Sequence, residues 1–216
     1  MALVRSMETR SLNYGYPTSC SLCKEVVHIH EASGLFAVLL TPTLEVKPYA
    51  GTSPKVLLIG QDPTLRNKRV GTALEFDREK SPLRQYIVNY VLAPLGLTTD
   101  DVYVTNAVKC TFPGQHTPAD WAKGMCISVE NFLIPFFMRC KRYLTKELIS
   151  IKPKIVITFG QPAHRLLVSA YRWEISPDMK EAFGHVFPVD NPIPTVYVAV
   201  IHYNSRGHRY YKTRWS

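Results

Sequence analysis

The chain of 216 residues has no uninterrupted apolar stretch long enough to span a bilayer, which excludes a membrane helix as its organising element. Its first residues, Met1-Ala2-Leu3-Val4-Arg5-Ser6, lack the apolar core of a secretory leader, so a cytoplasmic protein is expected. No G-x-G-x-x-G fingerprint and no P-loop occur, nor does a G-x-S-x-G elbow. The usual marks of dinucleotide, triphosphate and acyl chemistry are therefore absent. There is no internal repeat and no low-complexity linker. Acidic residues are scarce: 17 Asp and Glu stand against 26 Lys and Arg, a formal charge of +9. That balance suits a polyanionic partner, nucleic acid above all, although charge alone equally fits a solvated basic surface. The segment Arg206-Gly207-His208-Arg209-Tyr210-Tyr211-Lys212-Thr213-Arg214-Trp215 is more pointed, because cations interleaved with aromatics suit phosphate contact and base stacking.

Hydrophobic residues make up 46% and charged ones 20%, the composition of a soluble globular protein. Four short apolar runs rich in β-branched residues, Lys55–Ile59, Val102–Val108, Ile155–Phe159 and Thr195–Ile201, read as strands buried on both faces. Helical patterns lie between them: Pro82–Leu92, Trp121–Ile151 with Pro135 forcing a kink or break, and Pro162–Tyr171. Strand alternating with helix implies crossovers and a parallel sheet. The fold class expected is α/β, a three-layer α/β/α sandwich with a central four-stranded parallel sheet. One domain is expected over residues 1–216, monomeric, with residues 1–50 as an N-terminal arm.

In such a sheet all carboxyl ends share one edge, where open α/β folds build their sites. Strand one runs into Gly60-Gln61-Asp62-Pro63, strand two carries Thr105-Asn106-Ala107, strand three ends at Gly160-Gln161-Pro162, and strand four ends at His202-Tyr203-Asn204-Ser205. The helix start after Gly160 suits a phosphate. Asn106 offers a paired donor and acceptor. Asp62 can orient a water or face growing positive charge, and His202 can donate to growing negative charge.

This constellation resembles the uracil-DNA glycosylase superfamily. Gly60-Gln61-Asp62-Pro63 is similar to the first motif of its best-known branch, Leu74-Glu75-Phe76 to the segment whose Phe stacks on a flipped base, and Val104-Thr105-Asn106 to the strand whose Asn pairs with uracil. His202 with Asn204-Ser205-Arg206 falls where the family has its second motif. The resemblance implies catalytic roles for Asp62 and His202. It implies base contacts from Gln61, Thr64, Phe76 and Asn106, and DNA contacts from Gly160, Gln161, Asn204, Ser205 and Arg206. It implies a monofunctional enzyme that acts on uracil-containing DNA and leaves an abasic site. Thr64 stands where the best-known branch has a bulky Tyr, and Arg206 where it has an apolar wedge. Hypoxanthine or xanthine as the target base, or a binding protein with a degenerate site, are the competing readings.

Five cysteines complete the inventory. Cys20-Ser21-Leu22-Cys23 is a CxxC, and Cys110 follows strand two. This resembles the iron–sulfur branches of the same superfamily, which implies a [4Fe–4S] cluster on Cys20, Cys23, Cys110 and a fourth thiolate. Cys140 is preferred for the fourth place and Cys126 is the alternative. Those branches carry Glu where this chain has Asp62, so the signature is mixed. Zinc on Cys20, Cys23, His28 and His30 is the competing metal reading.

Overall fold

The structure is a computed structural model that describes residues 14–20, 22–23, 46–63, 71–112 and 117–202. Six strands form one sheet: β1 Tyr49–Ala50, β2 Val56–Gly60, β3 Val102–Asn106, β4 Ile155–Phe159, β5 Val186–Val189 and β6 Thr195–Val200, in the order β1-β3-β2-β4-β6-β5. The four expected strands form the parallel centre, β3-β2-β4-β6. Two antiparallel edge strands, β1 and β5, were not foreseen. β1 has two residues, too few to show a period. β5 contains Pro188, which an edge strand tolerates because one side of its ladder is unpaired.

Side chains alternate between two apolar layers, as the pleat requires. Leu57, Ile59, Tyr103, Val156, Tyr197 and Ala199 face one core cluster, and Val56, Leu58, Val102, Val104, Ile157 and Phe159 the other. The second cluster is closed by α1, Pro82–Tyr86, which continues through a wider π-helical stretch, Ile87–Leu92, to a stop at the left-handed Gly96. The first is closed by α2 Pro118–Gly124, α3 Val129–Ile151, α4 Gln161–Tyr171 and α5 Met179–Ala182.

Of the kink or break expected at Pro135, the break is corrected: α3 is continuous through that residue. The chain turns instead between α2 and α3, where Cys126 is left-handed and Ser128 caps the new helix by accepting from the Asn131 N–H. Pro135 is the seventh residue of α3, so it removes one rung of the ladder without ending the helix, whereas a left-handed residue followed by a fresh N-cap starts a new axis. Among the described residues no helix is long and apolar enough to cross a membrane.

The described part of the N-terminal arm docks on β3 and α3. Tyr14 meets Tyr103 edge to face at 5.3 Å. The Tyr16 hydroxyl donates to Val46 O at 2.5 Å, and the Arg139 Nε donates to Leu22 O at 2.9 Å.

Candidate active site

Parallel register brings the motif ends together. Gly60 and Asn106 are direct partners across β2 and β3. The pairing runs past the strands, with Ala107 N–H donating to Gly60 O (2.8 Å) and Val108 N–H to Gln61 O (3.0 Å). Asp62 therefore leaves β2 from a turn that is pinned on one side. Gln61 Nε2 donates to Asp62 Oδ1 at 2.6 Å, which aims the carboxylate. Across the edge the order is Asn106 on β3, Asp62 after β2, Gly160 after β4 and His202 after β6. Asp62 and His202 thus stand about two strand spacings apart, roughly 10 Å along the edge.

Asn106 is 3% exposed, and its Oδ1 is buried with no hydrogen-bond partner among the described residues. An unpaired buried amide oxygen costs about 1–3 kcal/mol, so it marks strain, the place of an ordered water, or a place kept for a ligand. Gly60 makes this placement possible. A Cβ at residue 60 would collide with Asn106 Oδ1 and lie 2.6 Å from Leu74 Cδ2. Gly60→Ala is accordingly expected to destabilise the fold by about 1–3 kcal/mol, measured as a lowered urea midpoint. An unchanged midpoint would mean that the two neighbours yield freely.

Gly160 is left-handed (φ 92°) and caps α4, and a Cβ there would sit 3.3 Å from His202 Cβ. Its N–H donates to Val200 O at 2.8 Å. The Gln161 side chain is committed within the fold: its Nε2 donates to Pro177 O at 2.7 Å and its Oε1 accepts from Met179 N–H at 2.8 Å. Below them His164 is buried. Its Nε2 must donate to Ser176 O (2.8 Å), so Nδ1 accepts from the Tyr197 hydroxyl (2.6 Å), whose oxygen accepts from Thr158 (2.6 Å). Burial lowers the imidazole's pKa and keeps it neutral. Gln161 and His164 together hold the start of α4 and the 176–179 turn in register with His202.

Phe76 is 1% exposed. Its ring lies 4.8 Å from Tyr49 and 5.7 Å from the Arg84 guanidinium. Thr64, Asn204, Ser205, Arg206 and the basic aromatic segment after them lie outside the described residues.

A polar cluster that sequence reasoning missed lies behind Asn106. Lys109 and Glu147 are 1% and 0% exposed and pair at 2.6 Å. Lys109 Nζ also donates to Thr105 Oγ1 at 2.7 Å, while Thr105 (3.2 Å) and the Tyr103 hydroxyl (3.0 Å) donate to Glu147 Oε1. Burial, with the Glu147 charge beside it, raises the Tyr103 phenol well above its ordinary range. The only sequence signal is an Asp- or Glu-type charge on the apolar face of α3, which a 3.6-residue count places inward.

Four thiols lie on the other side of Lys109. Cys110 and Cys23 share a hydrogen bond that raises the pKa of Cys110 and lowers that of Cys23, and the charges of Cys140 and Cys20 act on Cys110 as well. Cys140 is buried, which pushes its thiol up to about 12, and its sulfur accepts from Lys109 N–H at 3.4 Å. The Tyr143 hydroxyl reaches Cys20 Sγ at 3.7 Å. Cys126 is exposed. Among the described residues no group of three or more His, Cys, Asp or Glu is arranged to hold a metal ion. By chemistry alone thiolates are the ligands an iron–sulfur cluster takes, and an N–H and an O–H are directed at two of these sulfurs, Cys140 and Cys20, contacts of the kind that tune such ligands. His28 and His30, needed by the zinc reading, lie outside the described residues.

Residues 48–210 match the Uracil DNA glycosylase superfamily, and the chain belongs to that family. It is a divergent member. It is 34% identical over 67 residues to the Type-4 uracil-DNA glycosylase of Saccharolobus solfataricus, a match covering 31% of this chain and 24% of that protein. It is 26% identical over 104 residues to the Type-4 uracil-DNA glycosylase of Archaeoglobus fulgidus, covering 48% of this chain and 45% of that protein. The chain thus spans less than half the length of either curated relative.

Proposed function

We propose that this protein is a DNA glycosylase that hydrolyses the N-glycosidic bond of uracil in DNA and leaves an abasic site. The buried, unpartnered Asn106 Oδ1 against Gly60, on the strand neighbouring the one that leads into Asp62, in a chain of this family, carries the reading. An acceptor oxygen waiting in the wall suits the N3–H of uracil, and the same amide's N–H suits the neighbouring carbonyl. Cytosine presents a lone pair and an amino group at those positions, so it meets the amide with both signs reversed.

The base must first leave the duplex, at a cost of a few kcal/mol. The C1′–N1 bond then breaks with its electron pair going to the base, which leaves a cationic sugar and a uracil anion. Asp62 faces the cation and positions a water, whose oxygen bonds to C1′ and whose proton is taken up by the carboxylate. His202 donates to the growing charge on the uracil O2, an interaction typically worth about 3 kcal/mol. Gln61 holds the carboxylate in aim, and Thr64 and Phe76 bound the base. Contact with the DNA strand is assigned to Asn204, Ser205 and Arg206 and to the start of α4 at Gly160 and Gln161, with Gln161 setting the helix start. Uracil-containing DNA is the partner, and a monomer suffices for this site.

Cys20, Cys23, Cys110 and Cys140 would hold a [4Fe–4S] cluster, which supplies no step of the reaction and fastens the N-terminal arm to β3 and α3. Protein purified without oxygen should be brown, with about four irons per chain. Cys140→Ser should lose most of that iron and Cys126→Ser should keep it. A colourless protein carrying one zinc would overturn the assignment.

The function is tested with an end-labelled oligonucleotide carrying one uracil, single-stranded and opposite guanine. Cleavage at the uracil that depends on alkali is expected. No cleavage despite firm DNA binding would move the assignment to another deaminated base or to a binding protein.

A further inference from the structure

The Asn106 amide that would read the base is sealed, and the group beside the seal is Leu74. Its side chain lies against Gly60, on the same methylene that abuts Asn106 Oδ1. That oxygen is out of contact with solvent, so a base edge reaches it only when a neighbour withdraws. Leu74 is partly exposed and stands on an unusual backbone. Leu74 and Glu75 are both left-handed, at φ 56° and 53°. For residues other than glycine that conformation costs about 1–2 kcal/mol each, and strain of this kind persists only where surroundings enforce it.

The enforcing contacts surround the turn. Thr72 N–H and Oγ1 both donate to Asp77 Oδ1, at 3.1 and 2.8 Å, and Asp77 N–H donates back to Thr72 Oγ1 at 2.9 Å. Glu75 accepts from the Ser81 hydroxyl at 2.9 Å and pairs with Arg78 at 3.3 Å. Gly71, which tolerates a left-handed bend, is three residues away, so the strain falls on the residue whose side chain covers Gly60.

We propose that Leu74 is a specificity-determining residue: its isobutyl group forms the movable wall of the base pocket and sets how large a base can reach Asn106. This rests on the assignment of Asn106 to base binding. The amide pattern alone does not separate uracil from thymine or hypoxanthine, because all three offer a ring N–H beside a carbonyl. Discrimination among them must come from shape, and the residue packed at Gly60 supplies it. A wall that contributes one methyl-sized contact is worth about tenfold or more in selectivity.

Leu74→Gly is the informative variant, because glycine adopts this φ without cost and only the wall is removed. Single-turnover excision of uracil and of thymine, each opposite guanine, is compared in wild type and variant, with thermal melting as the folding control. The thymine-to-uracil rate ratio is expected to rise about tenfold or more. Equilibrium dialysis with free uracil and free thymine reads the same wall without the chemistry, and the preference for uracil should shrink. Should Leu74→Gly fail to fold, Leu74→Ala removes the same wall at a left-handed cost of the kind the leucine already bears. A wild-type ratio in a well-folded, active variant overturns the proposal and leaves the functional assignment standing. If neither protein excises or binds any of these bases, the functional assignment falls and this inference falls with it.

Discussion

Asp62→Asn is expected to reduce uracil excision about a thousandfold, within the range for losing a positioned acid–base group or a charge facing the transition state. The substitution is nearly isosteric. Gln61 Nε2 donates to Asp62 Oδ1 at 2.6 Å, and an asparagine oxygen can accept the same bond, so the turn should keep its shape. Only the negative charge and the proton-accepting capacity are lost. The anionic DNA backbone is not repelled by the variant, so affinity for a uracil-containing duplex should hold or improve. Single-turnover rates and fluorescence anisotropy on the same oligonucleotide separate the two effects. A variant with full activity would remove Asp62 from the chemistry. Loss of activity and binding together would point to a damaged turn.

The second large effect is on stability. Glu147→Leu alone should destabilise the protein by about 3–5 kcal/mol, because it leaves the Lys109 ammonium buried without its counterion. Lys109→Met alone should cost a similar amount for the mirror reason. The double variant should recover most of the loss, since an apolar pair of like volume often replaces a buried ion pair at little cost. The recovery will be incomplete, because Tyr103 and Thr105 each donate to Glu147 Oε1 and would be left seeking an acceptor. Urea midpoints of the four proteins form the cycle. Small, additive losses would show that water reaches the pair.

Much of the architecture was legible from composition and period. The four apolar runs were too short for helices and too continuous for a half-exposed sheet, and they became the parallel centre β3-β2-β4-β6. Their shared polarity then forced Asp62, Asn106, Gly160 and His202 onto one edge without any knowledge of contacts. The flanking strands escaped notice, since β1 is two residues long and β5 carries Pro188. The turn between α2 and α3 escaped notice within the helical pattern Trp121–Ile151, because a proline such as Pro135 is visible in a sequence and the left-handed Cys126 is not.

By itself, the sequence determined which residue types meet at the carboxyl edge and that the chain is basic, because strand direction and charge are carried residue by residue. Only the tertiary structure decided which of those groups is already committed. It engaged both ends of Gln161 within the fold, left Asn106 Oδ1 without a partner and set Leu74 against Gly60. It also paired Lys109 with Glu147, 38 positions along the chain, and placed Cys140 rather than Cys126 among the thiols. Hydrogen-bond satisfaction and close packing depend on groups distant in sequence. No local pattern of residues encodes them until the sheet has brought its strands into register.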